Sequence, residues 1–259
     1  MKFLKNLKDF IRWFFGEKFG GLIPQPRDGR DWEFKPASTS LSSVSLRAEM
    51  PGVTNQGWYN SCTAHAIGAL VDYYATYKKT NASWSINFSE AFQWYMNRQM
   101  EGNADLNVGV WLRNSFKVIT KHGFTTESFW NYKDGWDVEP SWEAKESARM
   151  FGLFLGQFGG YYYINTKDVE TIKQALSEEL PVIFGFPVTS EFKKLKKPGV
   201  YEPERVENVT GYHAMLFTGY KPGYFEVRNS WGKNWGDNGY CWISEDVVKK
   251  HAFDMWTLR

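Results

Sequence analysis

Gln56, Cys62, His213 and Asn229 are the residue types that thiol-dependent acyl transfer calls for. A cysteine attacks a carbonyl as its thiolate, and a neighbouring imidazole can hold that thiolate as an ion pair near neutral pH. An asparagine amide bonded to the second ring nitrogen fixes the imidazole's orientation and tautomer. A glutamine amide just upstream can donate to the oxyanion formed when an acyl carbonyl is attacked. Here Asn55-Gln56-Gly57 stands shortly before Cys62. Gly211-Tyr212-His213-Ala214 comes much later, and Asn229-Ser230-Trp231-Gly232 follows it. No one piece is diagnostic, but all of them in this order are.

Each residue also has a plainer reading. Cys62, in Ser61-Cys62-Thr63-Ala64-His65-Ala66, could be a small buried hydrophobe. His213 could be a strand histidine bonded to a carbonyl, and Asn229 a turn residue closing a strand. The company each keeps decides for chemistry. His65 shares a helix face with Cys62, and with no second cysteine or histidine nearby it reads as a packed residue, not a metal ligand. His122, before Gly123, reads as a helix C-terminal residue, and Cys241 as an inert strand cysteine. No metal or organic cofactor is implied.

These residues need elements to hold them. Ser61 is placed to cap a helix running through about Lys79, so that Cys62 meets the N-terminal N–H groups and partial positive charge that lower a thiol's pKa. Ser89 is placed to cap a second helix through about Met100, and Leu106 to Lys121 has the period of a third. From about Gly152 the pattern turns to strands: 153–158, 161–165, 182–188, 213–220, 224–229, 239–244 and 253–258, with helical periodicity at 167–179. A helical half followed by a sheet-rich half predicts an α+β fold of two lobes, about 60–150 and 151–259, with a cleft between them.

The remainder of the chain bounds the possibilities. At 259 residues it has ample length for a core, and its formal net charge of +2 gives no argument for nucleic acid. Lys193-Lys194-Leu195-Lys196-Lys197 is its densest basic run and reads as a solvated loop ahead of Pro198-Gly199. Phe3, Leu4, Leu7, Phe10, Ile11, Phe14 and Phe15 recur at helical spacing, predicting an amphipathic helix within residues 1–21. Its apolar face over 1–19 could dock on this chain, on a partner, or weakly on a membrane. Residues 22–43, with Pro24, Pro26, Pro36 and a Ser/Thr run, read as an extended linker ahead of a domain at 44–259. Lys5, Lys8, Asp9 and Arg12 interrupt any signal-peptide core, and no run approaches the roughly 20 apolar residues that span a bilayer. If Cys62 is a nucleophile, the two cysteines leave no structural disulfide, so a cytoplasmic or otherwise reducing compartment is expected.

The motifs Asn55–Cys62, His213-Ala214 and Asn229–Tyr240 resemble those of papain-type cysteine peptidases, above all the bacterial and viral branch with its Ser-Cys-Thr-Ala. Weaker correspondence covers Phe88–Asn97, Leu112–Tyr132 and Pro181–Pro187, and in all the resemblance extends from about Leu41 to the C-terminus. The resemblance implies a helical lobe bearing the thiolate and a β-barrel-like lobe bearing the imidazole. By it, Gln56 and the Cys62 backbone N–H form the oxyanion hole and Trp231 shields the His213–Asn229 bond. It also puts an extended polypeptide substrate against the Gly109 backbone, with Gly185 near the wall of the main specificity pocket. The expected activity is that of an endopeptidase working through a thioester. Departures are Asn60, where the family has a glycine beside the substrate, and Thr63 in place of tryptophan. His213 and Asn229 lie 151 and 167 residues after Cys62, somewhat beyond the usual spacing of about 130–150, and insertions such as Lys133–Ala144 account for that. Two rivals keep the fold: an amidase or acyl transferase on a non-protein or isopeptide substrate, and an inactive peptide-binding or structural module.

Overall fold

Cys62 is the first residue of a helix whose every residue is buried, α1 (Cys62–Tyr73), and the rest of the molecule is arranged around it. An apolar helix with no polar face has to be enclosed, and α1 packs against α2 (Glu90–Met100) and α3 (Leu112–His122) on one side and a sheet on the other. The structure, a computed structural model, describes residues 21–78, 86–133, 136–155, 160–166 and 168–259. The amphipathic helix expected near the N-terminus lies outside the described residues. Among those described, no helix is long and apolar enough to cross a membrane.

The helical lobe is completed by α4 (Trp142–Leu155), a single π turn continues α1 over Tyr74–Lys78, and the short α5 (Val169–Ser177), α6 (Ser190–Lys193) and α7 (Glu245–His251) accompany the sheet. Ser89 caps α2 as expected, accepting from the Phe92 N–H, and Gly123 (φ 78°) ends α3 after His122. A side chain at Gly123 would meet the Ala148 carbonyl on α4, so only glycine lets these helices come so close. Ser61 departs from expectation: it precedes α1, but its hydroxyl bonds to Tyr132 and does not cap the helix. The third helix begins only at Leu112, because the preceding residues form a loop anchored by Arg98. That fully buried guanidinium donates to the carbonyls of Ala104, Leu106 and Trp136 and stacks on Trp94.

The strands are β1 (Val44–Ser45), β2 (Tyr161–Ile164), β3 (Val182–Val188), β4 (Val200–Tyr201), β5 (Gly211–Lys221), β6 (Tyr224–Arg228), β7 (Tyr240–Ser244) and β8 (Phe253–Leu258). They form one sheet in the order β2-β8-β3-β5-β6-β7-β4, with β1 also paired to β5. All of β3 is buried, and Phe184 and Phe217 stack across β3 and β5 with ring centroids 3.7 Å apart. The architecture is the expected α+β, although β2 and β4 do not pair and the sheet stays open. Where a strand was expected at 153–158, residues 153–155 are the last turn of α4, and 156–158 lie outside the described residues.

Candidate active site

Two chain segments, brought side by side, build the candidate constellation. The Asn55 backbone bridges Trp231, the Gln56 N–H donates to the Ser230 carbonyl (2.9 Å), and the Gly232 N–H donates to that of Thr54 (3.0 Å). This pairing carries the chain from Gln56 into α1 directly beside the loop that follows β6. His213 lies on β5 opposite Phe186, and Asn229 follows the end of β6. His213 Nε2 and Asn229 Oδ1 are 2.7 Å apart, and the Ser230 N–H donates to the same oxygen. Trp231 lies over the His213 ring, with centroids 4.6 Å apart and planes inclined by 26°. An indole there excludes water from the bond beneath it.

Gln56 is fixed at both ends of its amide. Oε1 accepts from the Ser230 hydroxyl (2.7 Å), and Nε2 donates to the Tyr59 carbonyl (2.7 Å). An amide nitrogen carries two protons, so the second is left for the cleft that Gln56 borders. The Cys62 sulfur accepts from the Ala214 N–H at 3.3 Å, which ties the thiol to the strand bearing His213. Asn60, in the place of the family's glycine, turns towards Asn107: its side chain donates to the Asn107 carbonyl and its N–H to Asn107 Oδ1.

The thiol and imidazole are both buried, and that sets their charge. Burial pushes the Cys62 thiol up to about 12, against the opposing pull of the Ala214, Thr63 and Cys62 N–H groups. Burial likewise pulls His213 down to about 4, with the Asn229 bond acting the other way. The pair is therefore neutral in this structure; a thiolate–imidazolium pair needs relief from this burial together with the helix N-terminus and the mutual attraction of the two charges.

What covers the thiol is the chain's own segment 21–34, the strap, which the sequence had suggested only as a linker. Gly21 lies against the sulfur: a Cβ there would come within 2.5 Å of Sγ. The Val110 N–H donates to the Gly21 carbonyl and the Ile23 N–H to the Val110 carbonyl, a parallel pairing, while the Leu22 N–H donates to the Tyr212 carbonyl. The strap is thus a strand shared by both lobes. Leu22 is buried against Gly185 and Phe253, where a Cβ on Gly185 would fall 2.6 Å from either side chain. Further on, Gln25 Nε2 donates to Asp254 Oδ1, Arg113 on α3 holds Asp31 with two hydrogen bonds, and the Phe34 N–H donates to the Tyr163 carbonyl.

Of the expected site residues, Gln56, Cys62, His213, Asn229 and Trp231 converge on one place. Gly185 lines the space that Leu22 fills. Gly109 adjoins the pairing edge, but the strap's partner is Val110, one residue further on. His65 is buried, with Nδ1 bonded to Thr54 Oγ1 and 3.4 Å from Glu90, and Cys241 is buried on β7.

A helical lobe presenting a cysteine at a helix start to a histidine and asparagine on a facing sheet has the architecture of the papain-like cysteine proteases. The solved structure of xylellain, a cysteine protease from Xylella fastidiosa, superposes with a TM-score of 0.81 at 26% identity, covering 94% of this chain and 96% of that one. An uncharacterized peptidase C1-like protein of Acanthamoeba polyphaga mimivirus is 34% identical over 79% of this chain and 68% of its own length. A cathepsin L-like proteinase of Fasciola hepatica is 27% identical over 73% of this chain, which spans 55% of that relative. Residues 41–255 match the profile of the papain family cysteine proteases, and the chain belongs to that family.

Proposed function

We propose that this protein is an endopeptidase that cleaves extended polypeptides through a Cys62 thioester and rests in a form closed by its own strap. The observation that carries the reading is the single cluster of Cys62, the His213–Asn229 pair and the doubly held Gln56 amide, with Gln56 and His213 bordering one cleft. Cys62 attacks the scissile carbonyl, and the oxyanion is met by the free Gln56 N–H and the backbone N–H of Cys62. His213, its tautomer fixed by Asn229, takes the thiol proton and returns it to the departing amine, and water then resolves the thioester by the reverse sequence.

Closure follows from direction as well as from position. An acyl segment laid along the Val110 edge must run N to C towards the thiol, but the strap runs away from it. It fills the groove without offering a carbonyl in attacking geometry. Opening admits water to the thiol and imidazole and so permits the charged pair.

The test is digestion of a proteome-derived peptide mixture under reducing conditions, using full-length protein and a Leu22→Ser variant that loosens the strap. Cleavage inside peptides, abolished by Cys62→Ala and unaffected by Cys241→Ala, is the expected result. Labelling by an epoxide or iodoacetamide probe that follows Cys241 instead would sink the assignment.

A further inference from the structure

Where the strap meets β8, two side-chain groups are each only half satisfied. Gln25 Nε2 donates to Asp254 Oδ1 at 3.3 Å, and the Trp256 indole N–H donates to the same oxygen at 2.7 Å. The other atom of each group, Gln25 Oε1 and Asp254 Oδ2, is buried without a hydrogen-bond partner among the described residues. Both are acceptors when Asp254 is ionised, so neither can serve the other. A proton on Oδ2 removes both deficits at once. The carboxyl then donates to Gln25 Oε1 while Oδ1 goes on accepting from Nε2, and amide and acid close a ring of two hydrogen bonds.

The surroundings favour that proton. Asp254 is 7% exposed, and burial is the chief cause that raises it to about 6. Asp31 on the strap pushes in the same direction, while Arg113 on α3 pulls the other way, its guanidinium lying over the Trp256 ring. Arg113 already has Asp31 as a partner through two hydrogen bonds, so its charge is largely answered there. Ionisation leaves Oδ2 as a buried charge beside the carbonyl end of the Gln25 amide, which costs more than a lost neutral bond. Gln25 stands between Leu22 in the groove and Asp31 at its anchor, so this contact bears on the part of the strap that covers the thiol.

Resting on the closed-strap peptidase reading above, we propose that Gln25 and Asp254 form an acid-held latch on the strap. The protonated carboxyl grips the Gln25 amide with two bonds, and ionisation releases it, so the cleft opens as pH rises. The latch contributes fully below the free-carboxyl value of about 3.9 and fades as pH climbs through about 6. The open strap leaves Asp254 free to ionise at the lower value, and the closed strap does not. Between those limits strap opening can change by up to about a hundredfold. The proton passes to solvent, and no other species is exchanged.

Hydrogen exchange of the strap amides in the full-length protein reads opening without requiring peptidase activity. Dividing the parent's rate by that of Asp254→Asn at the same pH cancels the intrinsic pH dependence of exchange. Asparagine offers Gln25 both an acceptor and a donor at every pH. The ratio should therefore stand near one at pH 4 and reach at least about tenfold at pH 7. A ratio that stays near one at pH 7, or falls, overturns the proposal. Gln25→Leu is an independent check, because it removes both bonds. At pH 4 its strap should exchange at least about tenfold faster than the parent's, and equal protection there overturns the latch. Digestion of the peptide mixture keeps the two readings apart. Peptides cut by a protein whose exchange ratio is flat remove the latch and leave the peptidase reading standing. The expected ratio, with no peptide cut by Leu22→Ser protein, refutes the peptidase reading alone.

Discussion

At the scale of single residues, the site is ordered before substrate arrives. Fixing the Gln56 amide at Ser230 and Tyr59 removes the need to reorganise a donor while charge develops. Gln56→Ala should therefore lower kcat by on the order of 10²–10³ and leave KM nearly unchanged. Steady-state kinetics of the opened protein checks this, and a loss in KM alone would make Gln56 a substrate contact. Thiol reactivity reads out the Cys62–His213 pair. In the closed protein burial holds Cys62 near 12 and His213 near 4, so alkylation at neutral pH depends on opening. In Leu22→Ser protein the rate–pH midpoint should drop well below the free-thiol value of about 8.5, and His213→Ala should return it there. A profile that ignores His213→Ala refutes the ion pair.

At the scale of elements, the strap is held at separate points, and their strengths can be compared. Leu22 is buried at the groove, and burying such a side chain is worth roughly 2 kcal/mol. Leu22→Ser should accordingly speed Cys62 alkylation roughly thirtyfold at neutral pH, measured by mass spectrometry over time. The Gln25–Asp254 clasp behaves differently. Burial is the chief cause that raises Asp254 to about 6, while Trp256 and Gln25 donate to it and act the other way. A carboxyl with a raised folded pKa stabilises fully below its unfolded value of about 3.9, and that contribution is lost as pH rises through 6. Asp254→Asn keeps the acceptor, stays neutral and tolerates the left-handed φ of 51° at this position. It should therefore be more stable than the parent above pH 6, by up to about 3 kcal/mol, with the gain vanishing near pH 4. Denaturant midpoints at the two pH values check the sign.

At the scale of the whole molecule, most of the architecture was readable from pattern, and the misses have physical causes. The candidate site residues announce themselves because acyl transfer demands particular side chains in particular local contexts, and Gln56, Cys62, His213 and Asn229 sit in such contexts. The start of the strand expected at 153–158 is helix because a short apolar stretch has the same composition in a buried strand as in the last turn of a helix. α7 was missed, although Ser244 as a cap, Glu245 and Asp246 in its first turn and Lys249 and Lys250 in its last are readable signals. Nothing in Gly21-Leu22-Ile23 advertises the strap. Its place depends on long-range pairing with Val110 and Tyr212, to which local periodicity is blind.

The anchoring of the strap at Arg113 and Tyr163 means that residues 21–23, once lifted from the groove, remain tethered beside it. A tethered competitor acts at an effective concentration fixed by chain length, in the millimolar range for short flexible connections, whatever the concentration of protein. Substrate must outcompete it, so the apparent KM should exceed the intrinsic one by the inverse of the open fraction. Diluting the intact protein should leave its activity per molecule unchanged. Cutting the chain between Ile23 and Asp31 turns the same contact into a bimolecular one, and dilution of the nicked protein should then raise that activity towards the unblocked level.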